Sequence, residues 1–337
     1  MLQYAPIPDK YDSKAGENMR LRSLGMSDVK ITPIIMGTWQ AGKRMWAGID
    51  DAEITKAIRA AFDAGMTTFD TAEEYGWGHS ERILGKALTD VRHQVVYATK
   101  VFPNHLNYDQ VIGRCHRSLK NLNTHYIDLF QIHWPAGSWG TKATPIQETL
   151  RAMNKLLQQG KIRAIGVSNF SCSQLKEAAQ FSRIDSLQPP YSLFWRHVEK
   201  ETMPYCIKNN ITLLAYSPMA QGFLTGKFGP DHRFAKGDHR SKNKLFQKKN
   251  FNRVQQALNR LRPIADRYGF SLGQLALAWV ISHQRVCAIA GARNAEQVIQ
   301  NAKAADVHLS DTDLKEMDTI SRSVTDYLDD NPVMWEF

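Results

Sequence analysis

The sequence predicts an α/β protein built as a closed parallel (β/α)8 barrel of the TIM type, with an N-terminal β-hairpin and extra helices near the C-terminus. Three observations predict it. Eight short apolar runs rich in β-branched residues alternate with segments of helical periodicity, the order expected of parallel strands joined by crossover helices. The 337 residues are 43% hydrophobic and 23% charged, so a large core can form. No composition break or Ser/Pro-rich linker divides the chain, and residues 19–337 read as one domain behind a polar leader, 1–18.

Ahead of the barrel, MRLRSLGMSDVKITP alternates apolar and polar residues around Gly25, the pattern of a short hairpin. The runs ITPIIMGT, MTTFD, VVYATK, IDLFQIH, RAIGVSN, DSLQ, TLLAYS and VCAIAGA follow; their continuity indicates burial on both faces. After the first run, Ile54, Ile58, Ala61 and Phe62 fall on one helical face, and Gly65 ends that helix. After the fourth, Thr144 is placed to cap a helix, with Pro145 in the first turn and Gln147 completing a capping box. Ile146, Leu150, Met153 and Leu157 form its buried stripe, and Gly160 closes it. Ser271 and Gln274 repeat the capping box before LALAWVISH.

The spacing breaks once. About 70 residues separate Ser217, where the seventh run ends, from Val286, where the eighth begins, far more than a usual connection. Helical patterns at about 251–268 and 271–283 occupy part of it. A basic stretch occupies the rest: residues 227–253 hold nine Lys/Arg against two Asp/Glu, most of the chain's net charge of +10. Such a stretch attracts phosphate-bearing ligands or is a solvated loop. Phe228, Phe234 and Phe246 lie within it, but no nucleic-acid-binding module surrounds them, so a small phosphorylated cofactor is expected rather than a nucleic acid. No apolar run approaches the ~20 residues a membrane helix needs. The N-terminus lacks the order of a secretory signal, and Cys115, Cys172, Cys206 and Cys287 have no paired metal-ligand spacing. A cytoplasmic protein without a metal site is the expectation.

In a parallel barrel the chemistry sits at the C-terminal ends of the strands. Those ends read Asp70, Lys100, His133, Ser168-Asn169, Gln188, Tyr216-Ser217 and Gly291-Ala292-Arg293. Taken singly, Asp70 reads as a helix cap, Tyr75 as a loop aromatic, and His133 equally as a core histidine. Lys100 is harder to place as packing, because an ammonium ending a buried run requires a counter-charge, which Asp70 on the neighbouring strand can supply. Together the four make chemical sense. A free phenol, with a pKa of about 10, is a poor acid or base at neutral pH. A nearby ammonium is expected to lower that value, and an imidazole to share the proton. The result is a proton donor for a carbonyl oxygen, which needs a hydride source beside it. Ser168, Asn169 and Gln188 can bind a carboxamide, Tyr216 offers a flat face for a nicotinamide ring, and glycines 37, 222, 226 and 291 allow close backbone approach.

These pieces resemble an aldo-keto reductase over roughly residues 20–320. FDTAEEYGWGHSE is the most specific, joined by YATK, QIHW, GVSNF, AYSPMAQGFLTGK and GARNAEQVIQN. The resemblance implies a catalytic tetrad of Asp70, Tyr75, Lys100 and His133, with Tyr75 as general acid. It implies reduction of a small aldehyde or ketone by NADPH/NADP+ chemistry without a metal. Gly37, Thr38 and Trp39 match the first strand's edge of the cofactor site; Asp70, Ser168, Asn169, Gln188 and Tyr216 match the nicotinamide end. Ser217, Pro218, Met219, Gly222, Leu224, Lys227 and Arg240 match the segment around the pyrophosphate, and Gly291, Arg293, Gln297 and Asn301 the adenosine end. Trp39, Tyr75, His133 and Trp134 match the substrate pocket.

One departure bears on the cofactor. Many family members carry Lys-Ser after the eighth strand and an arginine one turn on, all facing the 2′-phosphate. Here those places hold Gly291-Ala292 and Gln297, and Arg293 supplies the charge. This is closer to the branch of bacterial stress-protein-type reductases and potassium-channel β subunits, and it leaves NADH as the lesser candidate. A redox-sensing regulatory subunit with slow turnover is the alternative use of the same fold.

Other dinucleotide and hydrolase readings fit poorly. GWGHSE lacks the third glycine of a Rossmann fingerprint, and Gly222 to Lys227 is one residue short of a phosphate loop, with Phe228 in place of Ser or Thr. Glu73 and Glu74 share one loop, so the paired acids of a glycosidase are missing. The loops at 40–48 and 134–143 and the tail to Phe337 are expected to set the substrate, with Trp39, Trp46, Trp77, Trp134, Trp139, Trp195 and Trp335 as candidate aromatic walls.

Overall fold

The computed structural model describes residues 19–334 apart from Arg44, Met45, Ala47 and Gly237. The leader, Trp335 and Phe337 thus lie outside the described residues. An antiparallel hairpin, β1 (Arg22–Ser23) and β2 (Lys30–Ile31), precedes a closed parallel barrel. Its strands are β3 (Ile34–Gly37), β4 (Thr68–Asp70), β5 (Val96–Val101), β6 (Ile127–Ile132), β7 (Ile162–Ser168), β8 (Ser186–Gln188), β9 (Thr212–Tyr216) and β10 (Val286–Gly291). Each pairs with the next, and β10 returns to β3 with Gly291 opposite Gly37.

Helices α1 (Asp51–Asp63), α2 (His79–Ala87), α3 (Tyr108–Asn121), α4 (Ile146–Gln158), α5 (Cys172–Ala178) and α6 (Thr202–Lys208) follow strands β3 to β8 in turn. The long connection after β9 supplies α7 (Lys248–Arg267) and α8 (Leu272–Ser282), and α9 (Ala295–Ala302) and α10 (Asp311–Thr325) follow β10. Helix α8 packs on β10, whereas α7 and α10 pack on each other, adding a pair beyond the barrel's own helices.

Two apolar cores result. The larger lies between strands and helices; the smaller fills the barrel, where Ile35, Val96, Ala98, Leu129, Ala164, Leu214 and Ile289 meet Leu24, Val29 and Ile31 of the hairpin. The hairpin thereby plugs the N-terminal end of the barrel. Gly25 makes this possible: its φ is +58°, and a Cβ there would lie 2.5 Å from the Asp185 backbone. Its N–H donates to Thr212 Oγ1 at 2.9 Å, and the Arg22 guanidinium donates to the carbonyls of Val286 and Ile281.

The Ser271–Gln274 capping box forms as expected. The box at Thr144 does not. Pro145 is extended and itself takes the N-cap position, so α4 starts at Ile146 and Thr144 falls outside it. One residue past Gln147, Glu148 accepts the Tyr108 N–H at 3.0 Å, tying α4 to the start of α3.

Candidate active site

Strand ends and loops converge on one cleft of about 1440 Å³ at the C-terminal mouth of the barrel. At its floor Lys100, fully buried, places Nζ 2.7 Å from Asp70 Oδ1, 2.8 Å from the Thr71 carbonyl and 3.5 Å from the Tyr75 hydroxyl. Asp70 Oδ2 accepts from Gln188 Nε2 at 2.9 Å and Gln131 Nε2 at 3.5 Å, so both carboxylate oxygens are held. The His133 ring meets Tyr75 edge-on at 5.8 Å and Phe102 edge-on at 5.6 Å.

Close backbone contact fixes the tyrosine loop. Gly76 has φ +62°, and a Cβ on it would lie 2.6 Å from the Gly42 carbonyl oxygen; a Cβ on Gly42 would lie 2.7 Å from the Tyr75 carbonyl carbon. Behind the loop, Thr38 Oγ1 meets the Asp70 carbonyl at 2.9 Å and Ser80 Oγ at 2.7 Å, and Ser80 Oγ meets Thr71 Oγ1 at 2.9 Å.

The electrostatics differ from the sequence expectation. Burial, with the Asp70 carboxylate adding to it, pushes the Tyr75 hydroxyl well above its ordinary value instead of Lys100 lowering it. Lys100 is spent on Asp70, and burial lowers its own pKa. Burial and the Lys100 charge also hold His133 well below its ordinary value, so the imidazole is neutral at pH 7. The site presents a protonated phenol and a neutral imidazole, and its buried ammonium is paired.

Along the cleft wall, Asn169 donates from Nδ2 to the His133 carbonyl and accepts the Tyr216 hydroxyl at Oδ1, at 3.1 and 2.9 Å. Ser168 Oγ donates to the Gln188 carbonyl. Asn169 and Ser217 both have left-handed φ values, +62° and +53°, and Ala220, Gln221 and Gly222 continue with three more, +48°, +55° and +94°. A non-glycine residue there costs about 1 kcal/mol, and such strain gathers where backbone must wrap a ligand. Phe223, stacked on Phe246 at 4.3 Å, anchors the turn.

At the far end, Lys227, Arg240 and Arg293 gather around Asp238. The Arg240 and Arg293 guanidinium carbons lie 5.2 and 5.4 Å from the Trp46 ring centre. Burial and neighbouring positive charge lower the pKa values of both Lys227 and Arg293. Only part of the basic stretch serves the cleft: Lys244 pairs with Asp329, and Arg253 stacks on Tyr327.

Of the residues singled out, Gly37, Trp39, Asp70, Tyr75, His133, Trp134, Ser168, Asn169, Gln188, Tyr216, Ser217, Pro218, Met219, Gly222, Lys227, Arg240, Gly291, Arg293, Gln297 and Asn301 line the cleft. Thr38 and Leu224 do not. Thr38 is buried behind Asp70, and Leu224 is a core side chain whose N–H is committed to the Met219 carbonyl. Gly226 makes a left-handed turn away from the cleft lining, and Gly291 lies beneath the Gln40 side chain. Of the tryptophans, Trp46 and Trp139 join Trp39 and Trp134 in the lining, Trp77 is exposed outside it, and Trp195 is buried elsewhere. Gln40, Phe102, Gln221, Asn294 and Gln300 also line the cleft. Of these only Phe102 lies outside the stretches singled out in the sequence: Gln40 falls in the 40–48 loop, Gln221 in AYSPMAQGFLTGK, and Asn294, which caps α9, and Gln300, within α9, in GARNAEQVIQN.

Comparison with known proteins agrees with this geometry. The Aldo/keto reductase family matches residues 33–322. The aldo-keto reductase YhdN of Bacillus subtilis is 38% identical, over 90% of this chain and 93% of its own. An NADH-specific methylglyoxal reductase of Escherichia coli is 34% identical over 88% and 96%, and a probable voltage-gated potassium channel subunit beta of Oryza sativa is 34% identical over 86% and 92%. Among solved structures, the glycerol dehydrogenase AKR11B4 of Gluconobacter oxydans matches with a TM-score of 0.83 at 36% identity, covering 92% of this chain and 97% of its own. A Klebsiella pneumoniae aldo-keto reductase in complex with NADPH matches with a TM-score of 0.73 at 30% identity, covering 95% and 100%. With its barrel, its mouth and its near-complete alignment to these proteins, the chain belongs to the aldo/keto reductase family.

Proposed function

We propose that this protein reduces an aldehyde or ketone to the alcohol with NADPH, Tyr75 delivering the proton to the carbonyl oxygen. The observation that carries the reading is the meeting of Tyr75, Lys100, His133 and Asp70 at the floor of a cleft whose other end gathers Lys227, Arg240 and Arg293.

The residues fit a phosphorylated dinucleotide. Lys227, Arg240 and Arg293 share Asp238, and burial with neighbouring positive charge lowers the pKa values of Lys227 and Arg293, a strain that bound phosphate relieves. Lys227 and Arg240 would bind the pyrophosphate, Arg293 the 2′-phosphate, and Gly291, Gln297 and Asn301 would flank the adenosine. Ser168, Asn169 and Gln188 would hold the carboxamide, and Tyr216 would stack on the ring. When bound, the nicotinamide supplies the hydride. Tyr75 keeps its proton until the carbonyl oxygen gains charge, because burial and Asp70 disfavour the phenolate. Lys100, held by Asp70 and the Thr71 carbonyl, then stabilises the phenolate left behind. His133, neutral and in edge-on contact with Tyr75 and Phe102, orients the carbonyl oxygen. The aromatic side chains of Trp39, Phe102 and Trp134 line the cleft too and favour a substrate with an apolar or aromatic substituent.

Tyr75→Phe deletes only this proton. It should lower kcat about 100-fold or more, with the cofactor Kd within twofold of wild type by fluorescence titration. Wild-type turnover in the variant refutes the assignment. The similarity to a potassium-channel β subunit favours a second use, redox sensing; slow cofactor release and stable association with another protein would support it over turnover.

A further inference from the structure

The geometry points to a second duty for the tail after α10: residues 326–334 strap down the cleft-facing segment 238–246, making Asp329 a positioning residue for cofactor retention. The inference rests on the reading that the cleft holds a nicotinamide dinucleotide.

None of residues 326–334 lines the cleft, so this part of the tail does not form the substrate wall expected of it from sequence. It makes other contacts. Both Asp329 carboxylate oxygens lie 2.8 Å from Lys244 Nζ, and the Lys244 N–H donates to the Met334 carbonyl at 2.9 Å. The tail is itself fastened to the body of the protein. Trp195 Nε1 donates to the Pro332 carbonyl at 3.0 Å, Met334 is fully buried, and Arg253 lies over the Tyr327 ring at 4.0 Å.

The segment it grips faces the ligand. Asp238, Arg240, Ser241 and Lys242 line the cleft immediately before Lys244. Between them Asn243 donates from Nδ2 to Gln221 Oε1 at 3.0 Å, joining the segment to the left-handed turn across the cleft. Movement of this segment would withdraw Arg240 from a dinucleotide that it holds with Lys227. A movement that carries Lys244 along must break its contacts with the tail or lift the tail with it. The strap acts on departure of the cofactor and leaves the carbonyl pocket alone.

The test measures NADPH release by stopped-flow fluorescence in the full chain, in Asp329→Ala and in a chain ending at Leu328. Asp330→Ala is the control, because its partner is Lys200, outside the gripped segment. Asp329 is largely exposed, so its loss should speed release about threefold, the scale of a partly screened ion pair. Truncation should speed it further, Asp330→Ala should not change it, and KM for a carbonyl should hold in all three variants. Melting without cofactor separates this from general loosening, since Asp329→Ala should lower the cofactor-induced gain in Tm more than the cofactor-free Tm. If the truncated chain fails to fold, Asp329→Ala alone decides. Release unchanged in Asp329→Ala overturns the strap, as does a raised carbonyl KM with unchanged release. Failure of the wild-type chain to bind any nicotinamide dinucleotide overturns the proposed function and the strap together; binding with unaltered release overturns only the strap.

Discussion

Asp70→Asn keeps the shape of the catalytic floor and removes its negative charge. The Lys100 ammonium, 0% exposed, would then be left with the Thr71 carbonyl at 2.8 Å, the Tyr75 hydroxyl at 3.5 Å and a neutral amide. Stranding a buried charge in this way costs about 3–5 kcal/mol. At roughly 2.1 cal/mol/K of unfolding entropy per residue, that corresponds to a drop in Tm of about 4–7 °C. Lys100→Met strands less, because Asp70 keeps Gln188 at 2.9 Å and Gln131 at 3.5 Å as donors. The double variant Asp70→Asn/Lys100→Met leaves no charge behind and should melt nearer to wild type than Asp70→Asn alone. A pH series adds a sign. Burial lowers the Lys100 pKa, so the folded variant sheds this proton more readily than the unfolded chain, and the gap to wild type should narrow as pH climbs towards the lysine's ordinary 10.5. The assay is thermal and urea unfolding without cofactor, which keeps it independent of turnover. An Asp70→Asn protein melting within about 1 °C of wild type, or a double variant losing the sum of the single losses, would refute the account of a charge-dependent floor.

Arg293→Ala should weaken NADPH binding about tenfold or more and leave NADH nearly unchanged; equal losses in parallel titrations would reject a 2′-phosphate role. Glu73, buried and bonded to the Phe102 N–H at 2.8 Å, has its carboxyl pushed by burial from 4.5 up to about 7 despite Arg114 nearby. The folded protein therefore binds the extra proton between those values, so Glu73 removes stability as pH rises through that window, by up to about 3 kcal/mol. Glu73→Gln should flatten the Tm–pH curve there, and an unchanged slope would count against this. Leu224→Ala should cost about 2–5 kcal/mol in urea unfolding while the cofactor Kd of the folded fraction stays put; a selective loss of affinity would return Leu224 to the binding surface.

The strands are legible because a parallel barrel buries both faces of each strand and leaves unbroken apolar runs such as VVYATK and VCAIAGA. Their polar ends are legible for the complementary reason: packing asks for no Lys, Asp or His there. The start of α4 is not, since the extended backbone of Pro145 takes the N-cap position and leaves Thr144 outside the helix. Thr38 beside Trp39 shows the limit of one-residue inference, because neighbouring side chains leaving a strand point to opposite faces, one into the cleft and one behind Asp70. Phe102 reaches the cleft just past a strand end with no local pattern to mark it, whereas Gln40 and Trp46 fall in the 40–48 loop expected at the mouth. The tyrosine's raised pKa is likewise a matter of burial, which residue types alone do not convey.

The hairpin seated in the floor has an evolutionary corollary. With Leu24, Val29 and Ile31 corking one end, molecular traffic is confined to the opposite rim. Insertions around that rim can reshape what enters without uncorking the base, so selection can diversify chemistry at the entrance while the foundation stays put.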